Sequence, residues 1–420
     1  MKVGIYFTAT KFDGGVYQYS IALLESLLKI KRNEYLIIST SKDIPEKFIK
    51  AENFKIIDIS FKCSEWVFRI RDTVSYIAAY VFPKLIGIVY KLGFFGYLTS
   101  LYKFSQENII CLFEKEKVDL IFYPTSSDLS FLIEIPSVVT VHDLQHRLNP
   151  KFKEVSVCGR WENREYRYQN VSRSAYRIFV DSAVGKDDMI RFYPNSQGKV
   201  VILSYLAPSY IAPNVTKSKT CHVKRKYSLP DDYIFYPAKF WPHKNHKNLI
   251  NALGILKEHG KRVNLVLTGS KNADFSSFYE VMGLVEEKDL KDQVFYLGFV
   301  NNEELSAIYK MAKAMIMPTF FGPTNIPILE AWVMGTPVIT SDIRGCRDQL
   351  GDAGLLVDPK SSTDMAKKVW KIYNDGELRK TLIERGKIRV NRWTFEDFSK
   401  RIAMVLKDFE TQKNASSKNN

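Results

Sequence analysis

The 420-residue chain has little cysteine: five residues, Cys63, Cys111, Cys158, Cys221 and Cys346. They are scattered, odd in number and form no CxxC pair. That excludes a disulfide framework and fits a reducing compartment. Histidine is also scarce, and His142 and His146, four apart, are joined by no HExxH pattern or further ligand cluster, so no metal is expected. No stretch of about 18 uncharged apolar residues occurs, which argues against a membrane-spanning helix. The first residues, MKVGIYFTAT, lack the apolar run of a signal peptide and read as a strand. A GxGxxG fingerprint, an Asp-x-Asp motif and any repeat of fixed period are all missing. Negative charge is short as well: 61 Lys+Arg against 46 Asp+Glu leave +15. Such an excess favours anionic partners. The basic residues are spread along the chain and build no nucleic-acid module, so nucleic acid is not an expected partner.

What is present is an alternation of short apolar strands with helices. Val3–Phe7, Tyr35–Thr40, Phe54–Ser60, Val118–Tyr123, Ser137–Val141, Arg177–Asp181 and Val200–Leu203 read as strands in the first half. Residues 207–230 are polar, basic and proline-bearing, and read as a linker. The pattern restarts with Tyr233–Pro237, Asn264–Thr268, Val294–Leu297, Ala314–Met317, Pro337–Thr340 and Leu355–Val357. The fold class is therefore α/β, with parallel sheets covered on both faces, and ligands are expected at the carboxyl ends of the strands. Trp66–Tyr102 breaks the rhythm. It is aromatic and basic, and fits either an interfacial surface that dips into a membrane or a helical insert packed on the first sheet.

Four places carry candidate chemistry. Lys239-Phe-Trp-Pro-His-Lys244 follows a strand, and two ammonium groups there can neutralise a diphosphate. Phe320–Trp332 follows another strand. Asn325 suits an N-cap, Pro327 a first turn, and the helix start offers N–H groups to an anion. Glu330 lies one turn beyond Ile326, where a carboxylate can accept both hydroxyls of a ribose. His142 ends a strand of the first half, within VHDLQH. Gly14 and Gly15 lie between the first strand and its helix, where backbone can approach a phosphate. Taken singly, each also fits an ordinary solvated loop or helix start.

In combination and in this order, the motifs resemble glycosyltransferase family 4, retaining enzymes of the GT-B fold. The resemblance rests on YPAKFWPHKNHKNLINAL, VFYLGFV, PTFFGPTNIPILEAWVMGTPVITSD and GDAGLLVDP, with DGGV and VHDLQHRLNP in the first half. It implies two Rossmann-like domains facing across a cleft. They are an acceptor-binding domain over 1–206 with a helical insert at about 62–117, and a nucleotide-sugar domain over 231–395. A C-terminal helix over 396–420, frayed at its tail, would return to the first domain.

The resemblance also assigns roles. Lys239 and Lys244 grip the donor diphosphate, with Lys239 standing where the family usually has Arg. Glu330 binds the ribose. His142 lies near the transferred sugar, and the glycine loop at Gly14 and Gly15 lies beside the phosphates. Phe299 and Val300 fall where the base is held. The family commonly carries a second glutamate, and in this chain Gly322 stands at that position. A carboxylate nucleophile is therefore in doubt. Asn325, Ile326 and Pro327 remain to hold the sugar, and FGPTNIP-type segments are similar to those of bacterial surface-polysaccharide transferases.

The implied activity is transfer of a hexose, of mannose or glucose type, from a donor such as GDP-mannose or a UDP-sugar to a glycan or lipid-linked acceptor. No cofactor or metal is implied. The expected place is the cytoplasm, at the inner membrane face where anionic lipid is within reach. A GT-B epimerase or phosphorylase would share the fold, and a non-enzymatic anion-binding protein would use the charge.

Overall fold

The computed structural model describes residues 1–59, 83–97, 103, 106–272 and 275–418. Two compact units divide the chain: Met1–Ser204 with Phe395–Asn420, and Tyr205–Thr394.

The first unit is built on seven parallel strands: β1 (Lys2–Phe7), β2 (Glu34–Ser39), β3 (Phe54–Asp58), β4 (Leu120–Tyr123), β5 (Ser137–Thr140), β6 (Arg177–Val180) and β7 (Val200–Ile202). Their order is β3-β2-β1-β4-β5-β6-β7. The central segments, IYF, LIFY and SVVT, are buried on both faces, which is why they read as continuous apolar runs without alternation. Helix Gly15–Lys29 covers the sheet with Tyr17, Tyr19, Ile21, Leu23, Leu24 and Leu27. Helix Phe395–Lys418 packs beside it, with Phe398 6.2 Å from the Tyr19 ring and Lys29 4.5 Å from the Phe395 ring.

The second unit has six parallel strands: β8 (Ile234–Pro237), β9 (Leu265–Thr268), β10 (Val294–Tyr296), β11 (Ala314–Met317), β12 (Val338–Ser341) and β13 (Leu355–Val357), ordered β10-β9-β8-β11-β12-β13. Read from β8, this is the 3-2-1-4-5-6 order of a doubly wound nucleotide-binding sheet. It opens a crevice where the winding reverses, between β8 and β11. The first unit reverses in the same way between β1 and β4.

One segment differs from its reading in the sequence. Residues 207–230 were expected to be a linker. They count with the second unit and contain a helix, Lys217–Lys226, whose start is capped by Thr216 Oγ1 accepting from Lys219 N at 3.2 Å. Only Val223 of this helix is buried, an apolar face too narrow to show as a pattern. Most of Trp66–Tyr102 lies outside the described residues. Within its described part, helix Pro83–Lys91 is followed by a turn at Gly93 and is tied to helix Arg160–Ser174 by the ring pairs Tyr90–Trp161 at 5.9 Å and Phe95–Tyr166 at 5.2 Å. Leu92, Phe94 and Tyr97 are exposed. No helix among the described residues is long and apolar enough to cross a membrane.

Candidate functional site

In the second unit, the chain leaving β8 and the chain leaving β11 are joined at the point where the winding reverses. After β8, Lys239 lies with its ammonium 5.4 Å from the Trp241 ring. A short turn at Pro242–Lys244 follows, ended by Asn245 in the left-handed region (φ 63°), which asparagine tolerates better than most residues. The Asn245 amide donates to Pro318 O at 2.8 Å and to Pro359 O at 2.7 Å, which fixes the turn against the ends of β11 and β13. The junction of the two loops is completed by His243. Its carbonyl accepts Phe320 N at 2.8 Å and Thr319 Oγ1 at 3.1 Å, and its buried ring stacks on Phe321 at 3.9 Å. His243 is therefore spent on holding two loops together. Tyr236 donates to Lys244 O at 2.7 Å and holds the same turn from below.

The segment after β11 leads into helix Ile326–Met334, with Asn325 at its N-cap and Pro327 in its first turn. The Asn325 side chain does not cap the helix. It is buried and donates to Cys346 Sγ at 3.5 Å, while its backbone is held on both sides by Gln349: Asn325 N donates to Oε1 at 2.8 Å, and Nε2 donates to Asn325 O at 2.9 Å. Burial pushes the Cys346 thiol up to about 11, against the Thr340 hydroxyl and the Lys244 charge, so it is a neutral packing group. Gly322 has φ +135°, and a side chain there would start 3.0 Å from Asn325 Oδ1. Glycine, where the resemblance led one to expect a glutamate, thus stands in a backbone conformation that favours it.

Glu330 is buried, and both of its oxygens are occupied. Tyr210 donates to Oε1, and Tyr309 donates to Oε2 at 2.6 Å. Burial raises its pKa and the two hydroxyls oppose the rise. A ribose hydroxyl would therefore bind Glu330 either at a remaining lone pair of these oxygens or in exchange for one of the two tyrosines. Phe299, on the loop after β10, is exposed and offers a ring face, whereas the Val300 side chain is packed in the core and can offer only backbone.

The first unit places Gly14, Gly15 and His142 at the carboxyl ends of β1 and β5. Gly14, at φ 60°, precedes helix Gly15–Lys29, and a Cβ added there meets nothing within 4 Å. Tyr19 of that helix links it to His142: the rings lie 5.1 Å apart edge to face, and the Tyr19 hydroxyl is 3.0 Å from Thr140 Oγ1. His142 Nε2 is 3.0 Å from Pro124 O. A carbonyl only accepts, so Nε2 carries the proton and Nδ1 is the acceptor. Burial lowers the imidazole to about 4, although Asp143 favours its charged form, so it is neutral near pH 7. His146, its neighbour in the sequence, turns inward to Tyr193 at 3.1 Å and Glu165 at 3.4 Å. Among the described residues, no group of three or more His, Cys, Asp or Glu is placed to hold a metal ion.

Tyr210, Tyr309, Cys346 and Gln349 went unnoticed in the sequence. Each reaches its partner from a distance in the chain, 120 residues for Tyr210 and 24 for Gln349, so no local spacing marks them.

Comparison with known proteins adds the following. Residues 221–389 match the family model described as Glycosyl transferases group 1. The chain is 26% identical to an O-antigen chain mannosyltransferase of Escherichia coli, over 60% of this chain and 69% of that protein. Among solved structures it is similar to a glycosyltransferase from Rickettsia africae, with a TM-score of 0.69 at 18% identity, over 97% of this chain and 98% of the other. It is also similar to an Anabaena protein solved with UDP and glucose, with a TM-score of 0.66 at 16% identity, over 97% and 100%. The chain has the GT-B fold class, two Rossmann-like α/β units, and resembles bacterial glycosyltransferases of that fold.

Proposed function

We propose that this glycosyltransferase is retaining and metal-independent, and that it moves a hexose from a nucleoside-diphosphate sugar to a glycan or lipid-linked acceptor in bacterial polysaccharide synthesis. The observation that carries the reading is the junction of the β8 and β11 loops, which sets Lys244 beside the segment that opens helix Ile326–Met334. In this proposal Lys239 and Lys244, with the Ile326 N–H at that helix start, bind the diphosphate and take up the charge that develops as it leaves. Ile326 and Pro327 hold the sugar, with Asn325 fixing their place through Cys346 and Gln349, Glu330 takes the ribose, and Phe299 gives a face to the base.

The bond from the sugar C1 to the diphosphate oxygen breaks, and a bond from C1 to the acceptor oxygen forms on the same face. The acceptor proton passes to the departing phosphate oxygen. Gly322 leaves no carboxylate nucleophile at that position, which favours this route over a covalent intermediate. We assign the acceptor to the first unit, where a neutral His142 would orient and not ionise. The resemblance to an O-antigen mannosyltransferase supports a mannose-type donor and a polymeric or lipid-linked saccharide acceptor. Exposed Leu92, Phe94 and Tyr97 beside Lys91 support action at the anionic inner face of the membrane.

The test is Lys244→Ala, assayed for sugar release from GDP-mannose and UDP-sugars and for nucleoside-diphosphate binding. Turnover should fall by about 100-fold, as on loss of one preorganised charge donor. A variant that transfers and binds as the parent does would overturn the assignment.

A further inference from the structure

Tyr309 and Tyr210 hold Glu330 in different ways. Tyr309 is fully buried, its ring lies 4.9 Å from Phe235 edge to face, and its carbonyl accepts Thr336 Oγ1 at 2.7 Å. It is a fixed part of the core. Tyr210 is half-buried and sits between β7 and helix Lys217–Lys226, in a stretch with no helix or strand of its own. Its neighbour Ile211 is buried and closes a turn by donating from its N–H to Pro208 O at 3.1 Å. One clamp on the carboxylate is thus rigid, and the other is borne by a loop.

We propose that Tyr210 sets donor affinity and ribose selectivity: its hydroxyl holds Glu330 Oε1 as an internal substitute for a ribose hydroxyl, and gives up that oxygen when the donor's ribose arrives. The inference rests on the donor reading of Glu330 given above. A buried carboxylate oxygen without a donor is costly, so the donor-free protein needs a partner for it. A phenol hydroxyl and a ribose hydroxyl are chemically alike for this purpose, since each donates one O–H to the carboxylate. The exchange keeps Glu330 satisfied in both states. It also ranks ligands. One that brings a hydroxyl replaces what it displaces, whereas one that lacks it leaves Tyr210 in place and gains nothing at this position.

The experiment uses the full chain and its Tyr210→Phe variant, which keeps the ring and removes only the donor. Both are titrated with UDP, GDP and their 2′,3′-dideoxy counterparts. The ribonucleotide should bind the variant about 3- to 10-fold more tightly, the equivalent of one net hydrogen bond no longer competed for, and the dideoxy compound should bind both proteins alike. The donor-free variant should melt lower than the parent, and saturating ribonucleotide should close that gap. Ribonucleotide affinity that is unchanged or weaker in Tyr210→Phe overturns the proposal. If binding is nonetheless lost in Lys244→Ala, the donor reading survives and only the role of Tyr210 falls. If neither protein binds any nucleoside diphosphate, the donor reading fails and this inference with it.

Discussion

His142 is held as a neutral ring with a defined tautomer, and that state has a cost that depends on pH. Its imidazole is lowered by burial from 6.5 to about 4. Between those values the unfolded chain binds the proton and the folded one does not, so stability is lost as pH falls from about 6.5 to about 4 and levels off below. His146 and His246 are depressed by burial too and add to the same slope. The share of His142 is isolated by His142→Gln, whose amide can still donate to Pro124 O. The unfolding free energy of that variant should fall less between pH 7 and pH 4 than the parent's, by about 3 kcal/mol, as read from urea titrations. Parallel curves for the two proteins would show that the ring is not held neutral. In the first unit, a short histidine-bearing motif could be read from the chain, but not the state of its ring. Pro124 and Tyr19, which set that state, come from other strands and helices.

At the scale of elements, the thirteen strands among the described residues were legible because each is a short run rich in apolar residues, wholly buried in β4, β5, β9, β11 and β12 and more open in β3 and β10, and such runs survive without knowledge of their neighbours. The helix Lys217–Lys226 was not, since one buried valine makes no stripe. The candidate site was legible only in its strand-end positions. Its support comes from helix Arg344–Leu350, which backs the loop ahead of Asn325 through Cys346, Gln349 and a close approach at Gly345. A Cβ at Gly345 would lie 2.0 Å from Pro323 O and 2.5 Å from Pro323 Cα, both backbone atoms that cannot rotate away. Gly345→Ala should therefore force the two elements apart, cost about 1–3 kcal/mol of stability and weaken nucleoside-diphosphate binding. Calorimetric melting with parallel titration measures both effects. A variant that melts and binds like the parent would mean that the two elements separate without cost.

At the scale of the whole molecule, the first unit is discontinuous in sequence. The chain leaves it at Ser204 and re-enters at Phe395. The returning helix, Phe395–Lys418, buries Phe398, Ile402, Val405, Leu406 and Phe409 on one face. That face is pinned by polar contacts at its far end: Tyr176 donates to Asp408 at 2.7 Å, Arg177 pairs with Asp408 at 2.5 Å, and Lys413 pairs with Asp119 at 2.5 Å. The ion pairs are partly exposed and contribute little each. The apolar face decides the matter, because burying each large side chain is worth about 1.5–3 kcal/mol, and five of them rival the whole stability of an ordinary domain. The second unit has its own sheet and its own core and takes no strand from this helix. Ending the chain at Thr394 should thus unfold the first unit and spare the second. Under limited proteolysis, the truncated protein should lose peptides of Met1–Ser204 quickly, while Tyr205–Thr394 persists as a protected fragment. Equal protection of both segments would show that the returning helix is an accessory to the first unit and not part of its core.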